Sequence, residues 1–79
     1  MLFRSLSILK PGANSGEDFV NHPEDDFFFV IQGALDLEID GTSVRLEEGD
    51  SLYSRGNTPY RWKNASDRED VILLLVTAS

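Results

Sequence analysis

Apolar and polar residues alternate along this chain with a period of two, in short runs separated by residues that force turns. Leu2–Leu9 alternates in part, with Leu6 and Ile8 on one side and Ser5 and Ser7 on the other, until Pro11-Gly12 stops it. Residues 14–18 are small or charged and carry no period, which predicts a loop. Residues 26–31 hold three consecutive phenylalanines followed by Val30 and Ile31, side chains that suit a pleated and mostly buried surface. Leu35, Leu37 and Ile39 then alternate with Asp36, Glu38 and Asp40, the signature of a half-buried strand. Asp40-Gly41 tolerates the positive φ angles of a two-residue hairpin turn, and Val44 and Leu46 alternate on the return leg. Glu48-Gly49-Asp50 turns the chain before a strand at Ser51–Ser54. Gly56, Asn57 and Pro59 mark a loop, Tyr60 and Trp62 a further short strand, and residues 64–70 a polar connection. Residues 71–76 form a continuous apolar run whose length and β-branched ends favour a core strand. No stretch holds helical period over the roughly 10 to 12 residues a helix needs. About six to eight short strands with regular turn signals predict an all-β sandwich or barrel, in one domain spanning residues 1–79.

Composition narrows the function more than the fold. A chain of 79 residues and 8.8 kDa has room for a single core, and chains this short bury only about 60% of the surface their unfolded form exposes. There is no cysteine, which removes disulfide staples, thiolate zinc sites and thiol chemistry together. Fourteen Asp and Glu against seven Lys and Arg give a net charge of -7, so phosphate backbones and anionic lipid would repel the chain and direct nucleic-acid binding is not expected. No apolar run approaches the length of about 20 residues that a membrane span needs, and none resembles a secretory signal, which predicts a cytoplasmic domain. The charge is uneven: acidic residues crowd positions 17–50, while Arg55, Arg61, Lys63 and Arg68 cluster in the last third. That cluster is read as balancing the acidic strands.

Two motifs match as letters and fail as chemistry. Asp36, Glu38, Asp40, Gly41 and Glu47 fall at the spacing of a calcium-binding EF-hand loop. The intervening Leu35, Leu37 and Ile39 need burial on a strand face, and no amphipathic helix flanks either end, so the carboxylates read as the solvated face of a hairpin. Asn64-Ala65-Ser66 spells a glycosylation acceptor, without meaning where no secretory signal is present.

The stretches from Gly16 to Gly33 and from Gly49 to Asn64 resemble the two motifs of the cupin superfamily. In the first, His22 falls where the second of two histidines belongs, Asp26 at the acidic position and Gly33 at the closing glycine, while Val20 occupies the first histidine position. In the second, Gly49 and Asn64 match the ends and Tyr60 stands in the histidine position. The resemblance implies a double-stranded β-helix, the cupin jelly-roll barrel, and a funnel in which three histidines and a carboxylate hold iron, manganese, nickel or zinc. Here the implied metal set shrinks to His22, Asp26 and Tyr60, a degenerate site for a divalent transition metal. The likeness is nearest to the effector-binding domains of bacterial helix-turn-helix regulators, although the helix-turn-helix is absent from this sequence. Such barrels ordinarily begin one or two strands earlier, which implies a minimal barrel or one completed by a partner.

These residues admit more than one reading. His22 between Asn21 and Pro23 is either an exposed turn residue or part of a ligand cavity, with metal binding a third option. Asp26 either ends a solvated Glu24-Asp25-Asp26 run or faces the barrel interior, where a carboxylate must find a partner or raise its pKa. Tyr60 and Trp62 share a face and are core aromatics or, through their polar tips, cavity walls. Phe28 would line the same interior as Asp26. One histidine and no cysteine leave no Ser-His-Asp or Cys-His arrangement for nucleophilic catalysis. The expectation is therefore a barrel that binds a small molecule through His22, Asp26, Phe28, Tyr60 and Trp62, acting as a sensor and forming a homodimer. A metal-dependent oxygenase or isomerase and a pure dimerisation unit with a filled barrel are the alternatives.

Overall fold

The computed structural model describes residues 2–78, all of whose regular structure is strand. In chain order these are β1 (Leu2–Leu9), β2 (Asp25–Gln32), β3 (Leu35–Ile39), β4 (Thr42–Leu46), β5 (Ser51–Ser54), β6 (Tyr60–Asn64) and β7 (Val71–Ala78). They form two antiparallel sheets, one ordered β1-β7-β2-β5 and the other β4-β3-β6. Seven strands in two sheets agree with the all-β expectation. Each sheet turns one face to the other, the layering that buries alternate residues of every strand.

Register decides which residues meet in that interior. From β7 and β2, Val71, Leu73, Phe28 and Val30 point inward, and Leu35, Leu37 and Leu46 answer from the smaller sheet. Phe28, Val30, Leu35 and Val71 have no exposed surface, and a fully buried side chain of this size contributes about 1.5–3 kcal/mol. The β3–β4 hairpin turns through Asp40 and Gly41, both at positive φ (48° and 77°), as the Asp-Gly pair predicts. At Gly33 a second constraint joins the positive φ of 88°, because a Cβ there would lie 2.7 Å from the Asp70 carbonyl oxygen.

Asn64 closes the end of the barrel opposite the open mouth. Its side chain is buried, and Nδ2 donates toward the carbonyls of Leu9 (3.0 Å), Lys10 (3.2 Å) and Glu69 (2.8 Å) while Oδ1 accepts from the Ser66 amide at 2.8 Å. One amide thus ties the end of β1, the start of β6's exit loop and the approach to β7.

β1 departs from the simple reading of its pattern. Its inward side carries Phe3, Ser5, Ser7 and Leu9, of which only Leu9 is buried, whereas Leu2, Leu6 and Ile8 point away from the core. The outward face of the larger sheet is consequently apolar. Pairing sets Leu6, Leu74, Phe29 and Ser51 in one row across the four strands, and Arg4, Val76, Phe27 and Tyr53 in the next.

Candidate functional site

The mouth of the barrel is formed where the inward row of Thr77, Asp26 and Ser54 meets Tyr60 and the segment leading into β2. Asp26 is only 2% exposed, on a strand whose alternation turns Phe28 and Val30 to the same side. The Thr77 hydroxyl donates to Asp26 Oδ1 at 2.7 Å, and His22 Nε2 lies 2.9 Å from Oδ2. Both carboxylate oxygens therefore have partners, which is what permits a carboxylate to sit there. His22 Nδ1 lies 3.2 Å from Glu24 Oε2 but without hydrogen-bond alignment, so this buried nitrogen has no hydrogen-bond partner. The imidazole is held between two carboxylates and remains about three-tenths exposed.

Tyr60 completes the group. Its ring stands edge-on to His22 (6.3 Å between centroids) and to Phe28 (5.2 Å). Burial, and then the charge of Asp26 beside it, push the Tyr60 phenol far above the ordinary tyrosine value. Phe28 sits beneath, wholly buried, and Trp62 lies one inward position further along β6, packed half-buried against the core.

The backbone holding His22 is gripped from two sides. Val20 and Tyr60 exchange backbone hydrogen bonds (2.6 and 3.0 Å), joining the incoming chain to the edge of β6. Below, the Asn57 amide donates to the His22 carbonyl at 2.7 Å and the Gly56 amide to Asp25 Oδ1 at 2.6 Å. Gly56 is there for closeness, since any side chain would overlap the Pro23 carbonyl. The Tyr53 hydroxyl also donates to Asp25; that bond, with the Gly56 amide second, holds the Asp25 carboxyl below the usual carboxylate range.

The structure thus brings His22, Asp26 and Tyr60 into one cluster with Phe28 behind it, whereas Trp62, half-buried against the core, borders a separate cleft along β3, β4 and β6. Sequence reasoning missed Thr77, Glu24 and Gly56. Thr77 was the most visible of these, as the lone hydroxyl ending an apolar strand opposite Asp26 in the register. Among the described residues no group of three His, Asp or Glu side chains converges as a metal cage. An open cleft of about 700 Å³ lies elsewhere, on the outer face of the smaller sheet, and His22, Asp26 and Tyr60 do not line it. Its charged walls are internally matched: Arg45 binds Asp36 through two nitrogens (2.8 and 3.2 Å), and Arg61 contacts Glu38 at 2.6 Å while stacking over Phe19. Arg61, at least, balances an acidic strand as its position in the basic cluster suggested.

Two antiparallel sheets enclosing one core, with a polar cluster at the mouth, define a jelly-roll barrel. The Cupin domain model (Cupin_2) matches residues 5–77, and the chain belongs to that family. It is similar to CurC of Streptomyces cyaneus, described as a polyketide synthase, with 29% identity over 68 residues covering 85% of this chain and 43% of CurC. Among solved structures it resembles the cupin domain of Schizosaccharomyces pombe Cnp3 (TM-score 0.89, 18% identity, 99% of this chain and 52% of that one). It also resembles the Cupin_2 domain of an XRE family transcriptional regulator from Enterobacter cloacae (TM-score 0.83, 26% identity, 99% and 81%). The chain therefore spans under half of CurC and about half of the Cnp3 domain. No helix among the described residues is long and apolar enough to cross a membrane.

Proposed function

We propose that this cupin domain binds a small molecule at the barrel mouth and acts as a sensor module, without chemistry of its own. The observation that carries the reading is the buried Asp26 carboxylate, held by Thr77 and facing an imidazole that stays about three-tenths exposed at the mouth. The exposed part of that ring is the polar surface of the cluster that a ligand can reach. A small polar molecule fits against that ring, and Tyr60 and Phe28 back the site from within the core. The likeness to the cupin domain of a transcriptional regulator supports a sensing role.

The donor set does not fit a resident transition metal. Val20 supplies no ligand atom, and Asp26 already spends its oxygens on Thr77 and His22. Tyr60 would have to ligate as a phenolate, the form its surroundings disfavour. The competing reading is a metal-dependent enzyme, favoured by the match to CurC.

Amide chemical-shift mapping against a panel of organic acids, amino acids and sugars tests the proposal. Binding should perturb the amides of His22, Glu24, Asp25, Asp26, Tyr60 and Thr77, and Asp26→Asn should weaken it. A panel that leaves those amides unmoved while perturbing another surface would place the ligand site elsewhere. Elemental analysis after incubation with iron, manganese, nickel and zinc should give far less than one metal per chain. A stoichiometric metal would transfer the case to the enzyme.

A further inference from the structure

Two consecutive carboxylates leave β2 in opposite directions. Alternation turns Asp26 into the barrel, where it meets Thr77 and His22, and turns Asp25 to the outward face of the larger sheet. On that face both Asp25 oxygens are used: the Tyr53 hydroxyl donates to Oδ2, and the Gly56 amide donates to Oδ1 at 2.6 Å. Tyr53 is 61% exposed on the outward side of β5, so the sheet itself stands between it and the mouth.

The turn that Asp25 holds is the turn that holds His22. Residues 21–24 belong to no strand, so the imidazole is placed by whatever grips this segment. Gly56 packs on the Pro23 carbonyl more closely than any side chain would allow, and the next residue, Asn57, donates its amide to the His22 carbonyl at 2.7 Å. Asn57 takes a left-handed φ of 62°, a conformation that persists where neighbouring contacts sustain it. We propose that Asp25 and Tyr53 are positioning residues for His22, a latch on the outward face of the larger sheet that sets, through the 55–57 turn, where the imidazole stands at the mouth on the other side. The latch rests on the reading of the mouth as the binding site and deepens it by naming what fixes its geometry. With the turn released, His22 is free to leave Asp26, and apparent affinity falls in proportion to the fraction of chains that keep the competent arrangement. A contact made to Tyr53 from outside thus changes the mouth without entering it.

His22 is the single histidine of the chain, so its ring signals in a heteronuclear NMR spectrum read the latch with no ligand added. Asp25→Ala should move those signals toward the values of a free histidine side chain. Tyr53→Phe should move them the same way by less, because the Gly56 bond survives. Asp25→Asn should restore most of the wild-type shift, since its side-chain oxygen still accepts from the Gly56 amide. In the Asp25→Ala background Tyr53→Phe should add nothing, the two residues acting through one bond. Asn64→Ala, which loosens the closed end and touches no residue of this turn, should leave the ring signals in place, and circular dichroism checks that each variant is folded. Titrated with the panel of organic acids, amino acids and sugars, Asp25→Ala should bind about three- to tenfold more weakly than wild type, as when the competent fraction falls to about a third or a tenth. A panel that binds neither protein while the ring signals behave as stated would sink the binding reading alone and leave the latch standing. Ring signals unmoved in Asp25→Ala, additive effects of the two substitutions, an equal displacement by Asn64→Ala, or panel binding unchanged by Asp25→Ala would overturn the proposal.

Discussion

Removing the Asn64 amide should unfasten the closed end of the barrel. The side chain is 5% exposed and serves four backbone groups: the carbonyls of Leu9, Lys10 and Glu69 and the amide of Ser66. Nδ2 carries two hydrogens for three carbonyls, so one of these contacts is shared. Asn64→Ala abandons all four groups, and at about 0.5–1.5 kcal/mol for each net hydrogen bond the loss comes to about 2–4 kcal/mol. For a domain of this length each kcal/mol moves Tm by about 4–8 °C, so the melting point should fall by about 8–32 °C. Asn64→Asp should do worse at neutral pH, since a carboxylate would face three carbonyl oxygens. Thermal melts followed by circular dichroism, at matched protein concentration, provide the assay. An Asn64→Ala variant within 1 kcal/mol of wild type, or an Asn64→Asp variant no worse than the alanine, would show that water can replace the amide and would refute the reasoning.

Other consequences follow from the mouth. Gly56→Ala should cost about 1–3 kcal/mol, because the turn must retreat from the Pro23 carbonyl; histidine ring resonances should shift with it, and unmoved resonances would count against the grip on His22. Tyr60 is protonated well past the ordinary value, so its contribution to stability is fully present below about pH 10 and is lost as pH rises toward the folded value. Absorbance at alkaline pH should accordingly show Tyr60 ionising only as the barrel unfolds, and a reversible native titration near 10 would contradict this. Asp25 shows the opposite sign: its folded pKa is depressed, so its stabilisation is present above the unfolded value of 3.8 and is lost as pH falls through the folded one. Tyr53→Phe should therefore be less stable than wild type at pH 7, and the gap should narrow below about pH 4; a gap that persists unchanged in acid would remove Asp25 as its cause.

Much of the barrel was legible because a pleated strand exposes its burial pattern with period two. Leu35, Leu37 and Ile39 alternate with carboxylates, and Asp40-Gly41 has the backbone freedom the turn requires. Which side of β1 faces inward was not legible, since burial depends on what lies across the sheet. Leu6 and Ile8 are the apolar side of that strand, yet they point outward. The pairing of His22 with Asp26 could be placed by motif but not by contact, because the 2.9 Å distance depends on the turn that brings the chain back onto β2. Asn64 was read as one end of a motif. Its four partners lie on segments as far as 55 residues away, and only the folded register assembles them.

β7 is the last of the described strands in sequence and yet one of the two inner ones, with β1 on one side and β2 on the other. During synthesis β1 pairs with none of the described strands until residues 71–78 have emerged, and β2 has only β5. The larger sheet therefore assembles by one late insertion, and an eight-residue strand rich in leucine waits unpaired until then. A nascent chain stalled before β7 would present a sticky edge to chaperones or to its own kind, and loss of the last few residues would dismantle a sheet where trimming an outer strand would only narrow it.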